Sequence, residues 1–106
     1  MEISDIYVHD ARLYRVIEDL REQTVTMEVE LPILERGEAL EPRLLVFENA
    51  FNHQVFEQAW QGLVTILAMH VIERQGSWQR VRIETNAGCR ELFCSGVRVG
   101  KLERTG

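Results

Sequence analysis

The octapeptide TVTMEVEL, Thr24 to Leu31, alternates strictly between polar and apolar residues. Val25, Met27, Val29 and Leu31 occupy one side of an extended chain, while threonines and glutamates occupy the other. This period of two is typical of a strand with one buried and one solvated face, the usual arrangement in an antiparallel sheet. Pro32 removes a backbone donor, so the strand is expected to end near it or to lie at a sheet edge. The octapeptide therefore predicts an antiparallel β domain.

The segments on either side of this strand are less regular. Between Ala11 and Glu22 the apolar spacing fits an amphipathic helix, but the composition also fits the first strand of a hairpin; the strand is favoured and the helix remains open. A short helix is predicted from about Asn52 to Gln61, because Phe51, Val55, Phe56, Ala59 and Trp60 form an apolar stripe. Residues 34–43 are predicted as a charged loop, and the rest of the chain as a meander with turns at Gly76 and at Asn86 to Gly88.

These elements predict a single domain over residues 1–106. Its expected fold class is mainly β, with a margin towards α+β: an antiparallel sandwich or partly open roll with one short helix. Residues 1–10 contain no basic residue and no apolar core, so no secretory signal peptide is expected. The two cysteines, Cys89 and Cys94, are predicted to be reduced thiols, and a cytoplasmic location is expected.

Charge divides unevenly along the chain. The net charge is −5, but residues 1–57 hold thirteen acidic residues and five arginines, a sum of −8, whereas residues 58–106 sum to +3. An acidic first half disfavours nucleic-acid binding, which depends on clustered cations. The uncharged stretch 58–71 is shorter than a membrane span of about 20 apolar residues, so no membrane association is expected.

Candidate chemistry is sparse. His9 and Asp10 are adjacent and resemble the paired histidine and aspartate of metal-dependent phosphohydrolases, which rest on an all-helical scaffold that this chain does not predict. Asp10 as a backbone cap with His9 packing locally is the simpler interpretation. No ligand spacing, phosphate loop or nucleophile motif occurs, so no catalytic residue, metal or cofactor is predicted. A small metal-dependent hydrolase using His9 and Asp10 remains an alternative hypothesis.

A protein-binding function is the main expectation. The proposed contact residues are Trp78, beside a turn and near several arginines, and the glutamates of the acidic half: Glu28, Glu30, Glu35, Glu38 and Glu41. Such a surface would steer a basic partner electrostatically, and exposed tryptophan is a frequent binding hot spot. A homodimeric structural protein, associating through the apolar segment Leu63 to Ile72, is a further alternative.

The order of the segments HDARL, TVTMEVEL, LLVFE and the final hairpin RIETNAGCRELFCSGVRV resembles a loose group of small uncharacterised bacterial proteins. In that group an N-terminal His-Asp opens a strand, a meander follows, and a late turn leads into the last strand. Some members are regarded as immunity proteins, which are small acidic partners that block a toxin by binding it. The resemblance implies a β-rich fold and a binding role, and it implies no catalytic residues.

Overall fold

A computed structural model of the protein describes residues 2–37 and 39–102. Most of these residues lie in eight strands joined by short connections. The strands are β1 (Ala11–Asp19), β2 (Thr24–Ile33), β3 (Ala39–Glu48), β4 (Phe51–Glu57), β5 (Val64–Gln75), β6 (Trp78–Thr85), β7 (Gly88–Cys94) and β8 (Gly96–Lys101). The helical elements among the described residues are two 3-10 turns, Ile3–Asp5 and Leu34–Arg36. The mainly β fold class is confirmed.

The strands form one antiparallel sheet in the order β4-β7-β6-β5-β1-β2-β3-β8. The chain passes from β3 to β4 through Asn49 and Ala50 alone, although these strands belong to opposite ends of the sheet. Likewise, only Ser95 separates β7 from β8. The sheet therefore rolls up until its two ends meet at this corner, where Ala50 N–H donates to the Gln23 carbonyl at 2.7 Å and Ser95 N–H donates to the Glu48 carbonyl at 2.9 Å.

The interior of the roll is filled from almost every strand. The predicted alternation of β2 is observed, with Val25, Met27, Val29 and Leu31 buried. They pack in one cluster with buried side chains of the other strands and of the first 3-10 turn, including Ile3, Leu13, Leu45, Phe47, Ile66, Val81, Ile83, Leu92, Cys94 and Val97. Because β7 and β8, which belong to opposite halves of the sheet, both contribute to this cluster, apolar burial holds the roll closed.

For the segment between Ala11 and Glu22 the sequence was compatible with a helix or a strand, and the structure shows strand β1 there. β1 pairs with β2 along nearly its whole length, from Arg12 opposite Glu30 to Asp19 opposite Thr24. The Asp19 carboxylate accepts the backbone N–H groups of Arg21 and Glu22, both at 3.0 Å, and so shapes the hairpin turn. On its other side β1 pairs with β5 only at Ala11 to Leu13.

The predicted short helix from Asn52 to Gln61 is wrong. Phe51–Glu57 forms strand β4, paired with β7. Asn49 and Asn52 both have φ of +52°, and the register shifts between Phe51 and Gln54. Asparagine tolerates this left-handed conformation, so the first residue allows the chain to turn and the second forms a bulge. The predicted loop 34–43 is also shorter than expected, since β3 begins at Ala39.

Candidate protein-binding surface

The outer face of β6 and β7 carries an ordered set of charged and aromatic side chains. In β6, Gln79, Val81, Ile83 and Thr85 point inwards, which leaves Arg80 and Arg82 on the outer face. The tight turn at Asn86 and Ala87 sets the register, so that Arg82 lies opposite Glu91 and Arg80 lies opposite Phe93. The sequence thus places two guanidinium groups, a carboxylate and an aromatic ring side by side.

Glu91 is the centre of this set. Its side chain is only 7% exposed, and it forms ion pairs with Arg80 and Arg82. Arg82 donates from Nε and Nη2 to Oε2 of Glu91, at 2.9 and 2.7 Å, while Arg80 donates to Oε1. The hydrogen bond from Arg82 holds the pKa of Glu91 below its ordinary value, and the same pair raises the pKa of Arg82. The carboxylate is therefore ionised and fixes both arginines in place.

Three aromatic rings extend this set towards the corner of the roll. Phe51 stacks on Phe93 with ring centroids 5.1 Å apart, and it meets Trp78 edge to face at 5.2 Å. The guanidinium of Arg80 lies over the Phe93 ring, 5.7 Å from its centroid. We call these six residues, Phe51, Trp78, Arg80, Arg82, Glu91 and Phe93, the aromatic–arginine face. Phe51 and Trp78 are exposed despite these contacts.

An open pocket borders the aromatic end of this face. It has a volume of about 590 Å³ and lies at the corner where β3 turns into β4 and β7 into β8. Its walls are Phe51 and Trp78 on one side and uncharged polar or small residues on the other: Gln23, Asn49, Ala50, Ser77 and Ser95. Asn49 is held there by a 2.8 Å hydrogen bond from its amide to the Ser95 hydroxyl. The arrangement can receive an apolar side chain from another protein.

The predicted acidic contact residues of β2 lie on a different part of the roll. Glu28 faces Arg15 at 3.8 Å, and Glu30 faces Arg12 at 4.0 Å and accepts the Tyr14 hydroxyl. These contacts partly neutralise both glutamates locally. They do not change the net charge of the region, which still acts at long range.

The remaining predicted glutamates belong to the β2–β3 connection and β3. Glu41 pairs with Arg36 and with Arg43, the latter at 2.6 Å. Glu35 is exposed in the second 3-10 turn. Glu38 lies outside the described residues. The acidic contact face stays a prediction, and the aromatic–arginine face contains Trp78 but none of these glutamates.

The His9–Asp10 pair forms the turn before β1. Nε2 of His9 lies 3.5 Å from the Asp10 carboxylate, both side chains are exposed, and Nδ1 of His9 donates to the Leu67 carbonyl at 3.2 Å. Asp10 has φ of +65°, and its backbone N–H donates to the Ile66 carbonyl at 2.9 Å. These contacts fasten the start of β1 to β5. A pocket of about 350 Å³ lies beside the pair, between Tyr7 and Arg12.

The other two histidines have different neighbours. His70 lies 3.6 Å from Glu84 on the outer face, and His53 lies 3.8 Å from Glu18. Within residues 2–37 and 39–102, no three histidine, cysteine, aspartate or glutamate side chains converge as metal ligands would. Cys89 and Cys94 are free thiols, of which Cys94 is buried. No helix in the described part of the chain is long and apolar enough to cross a membrane.

A second charged cluster faces the inside of the roll and was not predicted from sequence. Arg90 of β7 donates to both carboxylate oxygens of Glu57 in β4, at 2.8 and 2.9 Å, and to Nε2 of His53 at 3.4 Å. Burial lowers the pKa of His53, and the charge of Arg90 lowers it further, against the opposing effect of Glu18. Neutral His53 therefore links β4 to the end of β1.

The sequence singled out Trp78, but Phe51 was placed in the apolar stripe of a predicted helix, and neither Phe93 nor Glu91 was predicted as a contact residue. A signal for Glu91 was present. The turn expected at Asn86 to Gly88 would set Glu91 opposite Arg82 in a two-residue hairpin. No comparable signal placed Phe51 next to Trp78, because they meet through the pairing of β4 with β7, which lies beside β6, and β4 is distant in sequence from both.

Comparisons with known proteins identify the fold. No protein-family model matches the chain, and no curated protein sequence matches it. A crystal structure of an uncharacterized protein from Neisseria gonorrhoeae matches with a TM-score of 0.53 and 11% sequence identity, over 89% of this chain and 93% of that one. At this identity the similarity concerns the fold alone, so the chain shares a rolled antiparallel architecture with an uncharacterised bacterial protein.

Proposed function

We propose that this protein is a non-catalytic protein-binding domain whose partner docks on the aromatic–arginine face. The observation that supports the proposal is the edge-to-face contact between exposed Phe51 and Trp78 beside an open pocket. Tryptophan and arginine dominate binding energy at protein interfaces, because they offer large contact areas and many donors. Here their conformations are set before binding, which reduces the entropy lost on association.

The electrostatics favour a basic partner. The whole chain carries −5, and this long-range field attracts cationic proteins even though single glutamates are ion-paired. At short range the aromatic–arginine face has an acidic rim: Glu73 lies 3.9 Å from Arg80, and Glu84 lies 3.6 Å from His70. Long-range attraction of a basic partner is thus assigned to the net charge of the chain, and short-range contact with that partner is assigned to the aromatic–arginine face.

An immunity-like role is the specific form of this proposal. In that role the protein would bind a basic toxin and cover its active surface. A small acidic domain with a preformed contact surface suits such a task, since fast electrostatic capture and slow dissociation are both needed. Its short-range contacts are assigned to the aromatic–arginine face, with the acidic β1–β3 region contributing to capture.

The experiment compares two exposed tryptophans. The native protein, Trp78→Ala and Trp60→Ala are immobilised and exposed to a lysate of the native host, and retained proteins are identified, purified and titrated individually. Trp78 is 39% and Trp60 43% exposed, so the two substitutions are matched in exposure but differ in location. We expect Trp78→Ala to weaken binding of the purified partner about 30-fold or more, as for a hot-spot residue.

Trp60→Ala should leave the affinity unchanged, and about 0.5 M salt should slow association by shortening the Debye length. An equal loss for both variants would place the interface elsewhere. Failure of every purified candidate to bind the native protein would refute the binding proposal. A partner that binds tightly but is not a toxin would refute only the immunity-like form.

A further inference from the structure

The two ends of the sheet differ in how their free edges are protected. β4 and β8 are the terminal strands, and among the described residues each pairs with a strand on one side only. A free edge exposes backbone donors and acceptors to any other strand, and proteins usually shield it with charges, prolines, bulges or short strands. β8 follows this rule, because it has only six residues and two of them, Arg98 and Lys101, are charged.

β4 is shielded only over its first half. The bulge at Asn52 and His53 interrupts the edge there, but regular pairing with β7 resumes from Gln54 to Glu57. In this second half Val55 and Phe56 are both exposed. Its charged residue, Glu57, is already held by Arg90. The unprotected edge is therefore Gln54–Glu57, with two apolar side chains and no free charge.

We infer that Gln54–Glu57 of β4 pairs antiparallel with the same segment of a second copy of this chain, forming a two-fold symmetric dimer. In this arrangement Val55 lies opposite Val55 of the second copy, and Gln54 lies opposite Phe56, so that opposite side chains share a face. No two carboxylates face each other, so the pairing satisfies both edges without like-charge repulsion.

Charge explains why a second copy is the preferred occupant. Two molecules that each carry −5 repel one another over most of their surfaces. The segment Asn49 to Phe56 contains no acidic or basic residue, and its histidine, His53, is largely buried and lies beside Arg90. This uncharged edge is where two copies can approach closely. A charged foreign strand would find no opposite free charge along it.

This inference is independent of the proposed function. Edge-to-edge pairing extends the sheet sideways, so the aromatic–arginine face remains on the outer surface of each copy. It also differs from association through Leu63 to Ile72, because much of that segment lies in β5, where Ile66 is buried and Met69 and Val71 pack against the core.

The test uses two matched lysine substitutions in the full chain. Val55 is 50% exposed on β4 and Leu67 is 45% exposed on β5. We expect sedimentation equilibrium to detect a dimer of the native protein, and Val55→Lys to raise its dissociation constant at least about tenfold. Leu67→Lys should leave that constant unchanged. Circular dichroism verifies that both variants are folded; if Val55→Lys is not, Phe56→Lys replaces it.

Hydrogen exchange of the native protein provides a second measurement that needs no variant. Amides within Gln54–Glu57 should be more protected in concentrated than in dilute solution, whereas those of β8 should not change. A monomer at the highest soluble concentration would overturn the inference. A dimer that Leu67→Lys dissociates and Val55→Lys does not would overturn it in favour of the β5 surface.

Discussion

The Nε and Nη2 groups of Arg82 donate to the same oxygen, Oε2 of Glu91, from the directly opposite position on the neighbouring strand. Arg80 binds the other oxygen, so a single carboxylate fixes two arginines. This relationship restrains the arginines of the aromatic–arginine face, because each guanidinium is hydrogen-bonded to the carboxylate while part of its side chain remains exposed.

Replacing Glu91 with glutamine should therefore loosen the aromatic–arginine face. The amide keeps the volume but supplies one acceptor oxygen instead of two and no charge to balance the arginines. We expect the free energy of unfolding to fall by about 1–2 kcal/mol, the usual range for loss of charge-assisted hydrogen bonds. Urea denaturation measures this change, and Glu84→Gln on the same face, which has one 3.6 Å contact to His70, is the control. Equal stability of Glu91→Gln and the native protein would contradict the expectation.

The neutral state of His53 predicts a pH dependence. Burial, followed by the charge of Arg90, lowers the pKa of His53 in the folded protein below its ordinary 6.5, so the unfolded chain binds a proton first as the pH falls. The contribution of neutral His53 to the free energy of unfolding is fully present above pH 6.5, and it decreases as the pH falls towards the folded-state pKa. The free energy of unfolding should thus be lower at pH 5 than at pH 7.5. His53→Gln should reduce that difference, and an unchanged difference would assign it to other groups.

Gly88 should tolerate no side chain. It has φ of +142°, and a Cβ placed on it would lie 2.2 Å from the Phe56 carbonyl oxygen and 2.9 Å from Cα of Glu57. Gly88→Ala must push β4 away from β7, and we expect a loss of about 2–4 kcal/mol, as for other substitutions that force a backbone shift. Gly96→Ala is the matched control, because a Cβ there has nothing within 4 Å. Thermal unfolding compares the two, and similar melting temperatures would count against the described β4–β7 contact.

The two thiols should differ in reactivity. Burial raises the pKa of Cys94 to about 11, so its thiolate is scarce at neutral pH, whereas Cys89 is half-buried on β7. In the folded protein DTNB should label one thiol rapidly and the other only on unfolding. Cys89→Ser should abolish the rapid phase. A rapid phase that survives in Cys89→Ser would show that Cys94 is accessible.

The strands of the fold were predictable where one face is buried. The alternation in Thr24 to Leu31 identified β2 because each Val or Met faces the core. β4 was mistaken for a helix partly because its bulge inserts an extra residue between Phe51 and Gln54, so that Phe51 and Phe56 share a face although they are five residues apart. Edge strands bury little, so the alternation that would have corrected this error is weak there.

The candidate surface was predictable only in part. Trp78 was found through its turn and the nearby arginines, which are local features. The contact of Trp78 with Phe51 joins residues that are distant in sequence and depends on the pairing of β4 with β7 beside β6. Similarly, Glu28 and Glu30 were predicted as contact residues, and their ion pairs with arginines of the adjacent β1 were not predicted. Cross-strand pairing of charges depends on register, which the composition of one strand does not determine.

The crossing of the chain at Asn49 and Ala50 has a consequence for how the protein can be divided. A fragment ending at Gln61 would contain β4 without β7, and the complementary fragment would contain β8 without β3. Neither piece holds a complete hydrophobic interior, so each should remain unstructured alone and the two should reconstitute the native roll when mixed. The same interleaving delays productive folding until remote strands have met, which makes this small domain a slow folder for its length.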